Sequence, residues 1–370
     1  MTTSRRLLTR ALAVARVATA AAALVALGLL LRRADGARLL VLLSDRGPVM
    51  ALALLPFLLA MTLDTAGWSV VLAGIGARIP FWSLLRIRIG TEGTLLSLPA
   101  GAIAAEALKP MLLARVHEVP PRQGVASVLV KKALVVMTMA PDLAVGALAG
   151  AAVVRAAAPG AATTLLWAGL GGAVVVLALG LALVGALSGS RWWGRRLPRV
   201  AATAEIARGF FQRTRGRAPA ALLPAALFLL VWLTESLETF VIARLLGLHL
   251  EFAGAMAFES LISLARSLAF FVPAGAGVQD LGHVLLVQAA GGADPATAGA
   301  AFVLTKRAKE VFWIVVGALL LSSTGAHARE VAAAPAQEQP QKSGDDQTGA
   351  VAEATTEATV TGGAGWLLHP

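Results

Sequence analysis

Between Thr163 and Leu187 the chain runs for twenty-five residues without one ionisable side chain. A helix rises 1.5 Å per residue, so about 20 apolar residues cross the roughly 30 Å hydrocarbon core of a bilayer. In that core no water satisfies backbone N–H and C=O groups, and a chain able to enter it must close its hydrogen bonds within helices or a sealed barrel. Further apolar runs at about Pro48–Ala73, Gly124–Val154, Pro219–Leu246 and Thr297–Ser323, with an N-terminal run ending at Leu31, read as the other spans. Hydrophobic residues make up 57% of the chain and charged residues 14%, which excludes an ordinary soluble domain. The expected fold is therefore an all-α polytopic membrane protein.

Two segments do not fit a simple count of spans. Leu84–Leu98 is short and carries Arg86, Arg88 and Glu92, and Ala102–Val116 is interrupted by Glu106, Lys109 and Pro110. A re-entrant helical hairpin turning at Pro99-Ala100-Gly101 accounts for both halves. The turn has an echo. Leu98-Pro99-Ala100-Gly101-Ala102, with Glu106 following, matches Val272-Pro273-Ala274-Gly275-Ala276, with Asp280 following. Lys132 lies 132 − 106 = 26 residues beyond the first acid, and Lys306 lies 306 − 280 = 26 beyond the second. Phe252–Ala290 thus reads as a second hairpin, passing Glu259 and Arg266 before its turn, and Asp280 and His283 after it. The expected architecture is about six spanning helices plus two re-entrant helical hairpins in an inverted repeat, with half one at about 83–155 and half two at about 252–323.

Charge sets the expected orientation. Residues 191–217 carry eight Arg against Glu205 alone, beside Trp192-Trp193, and read as a cytoplasmic loop anchored at the headgroups. Tracing spans from that loop places both termini in the cytoplasm and brings the hairpins in from opposite faces. The connection at 32–46, with four Arg against two Asp, runs against this trace. Residues 34–47 read as an interfacial amphipathic segment and residues 1–325 as one integral membrane domain. Residues 326–370, rich in Ala, Gln, Thr, Glu and Gly, read as a disordered tail.

Several chemistries are excluded or disfavoured. With no cysteine, disulfides and thiolate chemistry are out, and the five His are scattered without ligand spacing, so neither a metal nor a cofactor is expected. The formal charge of +11 sits mostly on Arg in loops and near helix ends, which suits anionic headgroups better than nucleic acid. No nucleophile–base pair stands out, and His283 near Asp280 is a weak signal, so no enzyme is expected.

If the second limb of each hairpin is helical, its N-terminus lies near mid-membrane, where free N–H groups and the helix dipole favour an anion. Gly101, Gly275 and Gly277 would allow close approach to the backbone. Lys132, Lys306 and Arg307 on the flanking spans, with Arg266 on the hairpin, could add charge-assisted contacts to a phosphate or carboxylate. Together with Glu106, Gln279 and Asp280 these residues form the candidate lipid-headgroup site. The plainer reading is structural: Glu106–Lys132 and Asp280–Lys306 are salt bridges that pin hairpin to span. Asp64 within the second span, and Glu235 and Glu238 on one face of a later one, need partners or a wet cavity for the same reason. Pro141-Asp142, beyond the middle of the Gly124–Val154 span, marks an expected kink.

The run from Glu259 to Asp280, including Phe270-Phe271-Val272-Pro273-Ala274-Gly275-Ala276-Gly277-Val278-Gln279-Asp280, resembles the signature of flippase-like membrane proteins related to the transmembrane region of lysylphosphatidylglycerol synthases. It is most similar to their hopanoid-biosynthesis-associated branch, whose pattern is close to F-F-V-P-G-x-x-G-V-Q-E-G-G. Ala274, Asp280 and Leu281 depart from that pattern, where Gly, Glu and Gly are usual. The resemblance is specific over about 255–290 and looser over 90–135. It implies a bacterial inner-membrane protein that moves or presents a lipid: a hopanoid, a phospholipid or a polyprenyl phosphate. Because no soluble aminoacyl-transfer domain follows the last span, a complete lysylphosphatidylglycerol synthase is not expected. The rival expectation is a non-transporting scaffold for lipid-biosynthesis enzymes.

Overall fold

The computed structural model describes residues 35–97, 101–155, 159–188, 198–215, 218–268, 277–289 and 294–323, with isolated positions before them. Over these residues the protein is entirely helical, with eleven α-helices, one 3₁₀ turn and no strand. The helices are α1 (Gly36–Met50), α2 (Leu54–Ile75), α3 (Phe81–Ser97), α4 (Gly101–His117), α5 (Pro121–Val154), α6 (Pro159–Ser188), α7 (Pro198–Arg215), α8 (Ala218–Leu245), α9 (Phe252–Leu268), α10 (Val278–Ala289) and α11 (Pro295–Ser323). The 3₁₀ turn, Ala51–Ala53, joins α1 to α2.

Four helices are long and apolar enough to cross a membrane, over Ala51–Ile75, Pro121–Val153, Ala162–Ala186 and Leu222–Leu245. They coincide with four of the spans read from sequence. The fifth, α11, has the length at 29 residues, but Lys306, Arg307, Lys309 and Glu310 interrupt its apolar surface. The N-terminal run, the turn residues Pro99, Ala100, Pro273 and Gly275, the Trp192-Trp193 anchor and the tail 326–370 lie outside the described residues.

Both short segments are helix pairs, α3–α4 and α9–α10, as the interrupted hydropathy suggested. Gly101 opens α4 because nothing larger fits: a Cβ there would stand 2.3 Å from the Leu95 carbonyl oxygen and 2.6 Å from that of Thr94. The glycine thus lets the chain approach itself. Gly277, with φ of 82°, occupies the left-handed region just before α10, and its N–H donates to the Asp280 carboxylate at 3.0 Å. That reach-back from the first turn satisfies one of the N–H groups a helix start leaves open.

One expectation is corrected. Much of the Arg-rich stretch is a helix rather than a loop, since α7 covers Pro198–Arg215. Its Ala207 and Phe210 are buried with Val71, Ala126, Val130 and Phe228 in one core cluster, and Arg213 donates to the Gly74 carbonyl at 2.9 Å. The spacing of Ala204, Ala207 and Phe210 places an apolar stripe on one face, and Arg213 is exposed on another.

The packing between halves is reciprocal. The first limb of the early hairpin, α3, packs against the late helix α11, and the first limb of the late hairpin, α9, packs against α5; α2 and α8 lie against each other. At the α3–α11 crossing Gly317 faces Gly93 so closely that a Cβ on Gly317 would meet the Ile89 carbonyl oxygen at 2.9 Å. Without a hydrophobic drive between helices in lipid, small residues of this kind let backbones approach. By contrast α6 is only 22% buried over its apolar window, and Val174, Val175 and Leu177 face outward.

Candidate functional site

Both halves send ionisable side chains into one cavity of about 400 Å³. The early half supplies a cluster built on two acids. Asp64 of α2 accepts from Arg88 of α3 and from Lys131 of α5, each at 2.5 Å, and Arg88 also binds Glu92. Glu106 of α4 lies 2.8 Å from both Lys109 and Lys132 through one oxygen, while its other oxygen is buried without a hydrogen-bond partner. Trp68 lies beneath this group, with Lys131 5.3 Å and Lys109 6.0 Å from its ring centre. A ring face attracts a cation without needing a further counter-charge.

The late half mirrors this arrangement. Glu238 of α8 binds Lys309 through both oxygens, at 2.7 and 2.8 Å, and lies 3.4 Å from Lys306. Glu259 of α9 gathers the Thr239 hydroxyl at 2.5 Å, His283 at 3.1 Å and Lys306 at 3.3 Å. Arg266 binds Glu235 at 2.5 Å. Arg307 binds Asp280 at 2.7 Å and Glu310 at 2.5 Å.

The correspondence follows the sequence echo and extends it. Asp64 and Glu238 are 238 − 64 = 174 apart, as are Glu106 and Asp280 at 280 − 106 = 174. In each half the first residue of the basic pair, Lys131 or Lys306, goes to the spanning acid, Asp64 or Glu238. The second, Lys132 or Arg307, goes to the hairpin acid, Glu106 or Asp280. The expected Glu106–Lys132 pair forms. The expected Asp280–Lys306 pair does not, because the late basic pair stands one residue further along its helix and Arg307 takes Asp280. His283 is bound by Glu259, not used by Asp280.

Of the residues singled out from sequence, Gly101, Glu106, Lys132, Arg266, Gln279 and Lys306 line the cavity, while Gly277, Asp280 and Arg307 do not; Arg307 reaches it only through Glu310. Gly275 lies outside the described residues. Sequence reasoning missed Lys309 and Glu310, which stand three and four residues after Lys306 and so share its helical face with buried Trp313.

Charge in the cavity is balanced. Seven basic side chains and seven acidic ones line it, so it is not the net cationic pocket that the helix ends and lysines suggest. Pairing offsets part of the cost of holding these groups away from water. Lys132, with 42% of its side chain exposed, and Arg266, with 32%, are the most open cations of the pairs. Next to the cavity an apolar groove of about 490 Å³ runs between the α1–α2 junction and α11, lined by Met50, Ala53, Leu54, Leu304 and Phe312. Lys309 borders both spaces.

Fold and site together define a multi-pass membrane protein whose internal cavity holds seven basic and seven acidic side chains among apolar ones such as Phe57, Phe228 and Trp232. The chain belongs to the lysylphosphatidylglycerol synthase transmembrane-region family, whose model matches residues 11–317. Membership ties it to lipid-related function in the membrane. No curated protein and no solved structure matches the chain.

Proposed function

We propose that the chain is a flippase-like transporter that carries an amphiphilic lipid between leaflets of a bacterial inner membrane. The observation that carries this reading is that Lys309 lines two unlike spaces. An ionic cavity suited to a polar headgroup adjoins an apolar groove suited to a hydrocarbon chain. The headgroup engages Lys132 and Arg266, the most open cations, and displaces Glu106 and Glu235 as it does so. The reciprocal packing of the two hairpins supports an inverted repeat, in which one half rocks against the other and exposes the cavity to alternate faces. Charge balance favours a zwitterionic or neutral polar headgroup over a bare phosphate, since a ligand of high net charge would leave the cavity unbalanced. A hopanoid satisfies that criterion, and lipid transport linked to hopanoid biosynthesis is the form of the proposal closest to the sequence signature.

The test uses proteoliposomes of phosphatidylethanolamine and phosphatidylglycerol with a trace of fluorescent phosphatidylethanolamine, quenched from outside. Wild-type protein speeds transbilayer movement, and Arg266→Ala and Lys132→Ala each lower that rate at least tenfold while thermal unfolding shows both variants folded. Equal rates in wild type and both folded variants would overturn the proposal.

One observation favours a second reading, a non-transporting scaffold for lipid-biosynthesis enzymes. Every acid lining the cavity has a basic partner, as a purely structural network requires. The scaffold reading expects no movement of lipid by wild-type protein, and co-purification with such enzymes that survives Arg266→Ala.

A further inference from the structure

Asp142 breaks the pattern set by the other acids. It lies in the middle of α5, directly after Pro141, with 3% of its surface exposed, and its Oδ1 atom is buried without a hydrogen-bond partner. No basic side chain pairs with it among the described residues. The helices packed around it deepen its isolation. From α9 come Ser260, whose hydroxyl donates to the Asp142 backbone carbonyl at 3.3 Å and is the one polar neighbour within reach of the carboxyl, and Glu259, a like charge. From α8 comes Glu235, another like charge, itself paired with Arg266 of α9. From α6 comes no ionisable residue at all.

An acid at membrane depth with no counter-charge is costly unless it takes up a positive charge from outside the protein. A transporter that concentrates lipid in one leaflet must also draw on an energy source such as an ion gradient. We propose that Asp142 is the coupling-ion site, whose carboxylate binds a single positive charge, a proton or a sodium ion, and releases it during the transport cycle. This rests on the transport reading above. The location suits the role: Asp142 lies at the α5–α9 contact, where the late hairpin packs on the early half, and α9 carries Arg266 to the headgroup cavity. Loading and unloading of Asp142 changes the charge at that contact beside Glu259, so the two halves feel the ion's presence through packing and repulsion.

Two sets of measurements test the site, one of them independent of lipid movement. Detergent-solubilised full-length protein is examined by infrared difference spectroscopy for a protonated-carboxyl C=O band that vanishes in Asp142→Asn, and by thermal unfolding with and without sodium chloride against potassium chloride. A band lost in Asp142→Asn identifies the proton. A rise in Tm specific to sodium, present in wild type and lost in Asp142→Asn, identifies sodium. Neither response in the wild-type protein overturns the site.

In the proteoliposomes described above, a proton or a sodium gradient is then imposed across the membrane. The wild type responds with a directional bias in lipid movement, Asp142→Asn loses that bias, and Asp142→Glu, which keeps the carboxyl, retains at least part of it. Bias retained in Asp142→Asn overturns the coupling role even where the spectroscopic signal stands. If wild-type protein moves no lipid under any gradient, the transport reading falls and the coupling role with it, while the spectroscopic and thermal results still decide whether Asp142 binds the ion.

Discussion

Replacing Asp64 by asparagine removes the acid on which two buried cations converge. The side chains of Asp64, Arg88 and Lys131 are 8%, 15% and 4% exposed, and both cations stand 2.5 Å from one Asp64 oxygen. After Asp64→Asn, Arg88 keeps Glu92, but Lys131 keeps no ion pair of its own and retains only the Trp68 ring face. Leaving a buried charge uncompensated costs about 3–5 kcal/mol. Lys131→Met is milder, because Asp64 still holds Arg88, and the loss of one charge-assisted hydrogen bond costs about 1.5–3 kcal/mol. The double variant Asp64→Asn with Lys131→Met has no orphaned lysine, so it should be more stable than the sum of the singles by at least about 1 kcal/mol. The assay is denaturant unfolding of purified protein in detergent, followed by the fluorescence of its tryptophans, one of which, Trp68, touches the site. Additive losses, with coupling below about 0.5 kcal/mol, would refute the claim that Asp64 and Lys131 form one electrostatic unit.

Other outcomes follow from the packing and from the helix ends. Gly317→Ala forces α11 away from the Ile89 carbonyl and Gly93, and should lower stability by about 1–3 kcal/mol in the same unfolding assay, whereas Gly171→Ala, whose Cβ would meet open space, should change it little. Glu118 holds a φ of 53° between α4 and α5, a left-handed conformation that costs a non-glycine residue, so Glu118→Gly should raise stability by about 1 kcal/mol. Asp294, outside the spans at the start of α11, accepts from the Thr297 N–H at 3.2 Å, and its hydrogen bonds to Thr297 hold its carboxyl below the ordinary value. Its contribution is therefore fully present above the unfolded-state value and is lost as pH falls through the lower folded-state value. The loss of Tm between about pH 5 and about pH 2 should be smaller in Asp294→Asn than in wild type.

Much of this protein is legible along the chain, because lipid imposes rules that act on local sequence. Runs such as Thr163–Leu187 had to become helices, since the hydrocarbon core satisfies no backbone group from outside. The charges in Leu84–Leu98 and Ala102–Val116 set these segments apart from the long apolar runs, and both are helices, α3 and α4, that pack against each other. Glu106 and Lys132 were paired correctly from spacing. The Arg-rich stretch reads as a loop because its charge density masks the period of Ala204, Ala207 and Phe210, which makes α7 a packed helix. Lys309 and Glu310 were overlooked although they stand one turn from Lys306.

Local sequence sets most of the helices, α7 excepted, marks acids such as Asp64, Glu106 and Glu238 as needing partners, and carries the echo between the two halves. Which partner each charge takes depends on how the helices pack. Lys306 and Arg307 are neighbours in sequence, yet at 3.6 residues per turn their side chains diverge by about 100° around the helix. Rotation of α11 against α8, α9 and α10 therefore sends one to Glu238 and Glu259 and the other to Asp280. The same holds for Asp142. Asp142 and Asp64 read alike along the chain, but α3 and α5 bring Arg88 and Lys131 to Asp64 on α2, whereas α6, α8 and α9 bring Asp142 on α5 no paired cation among the described residues.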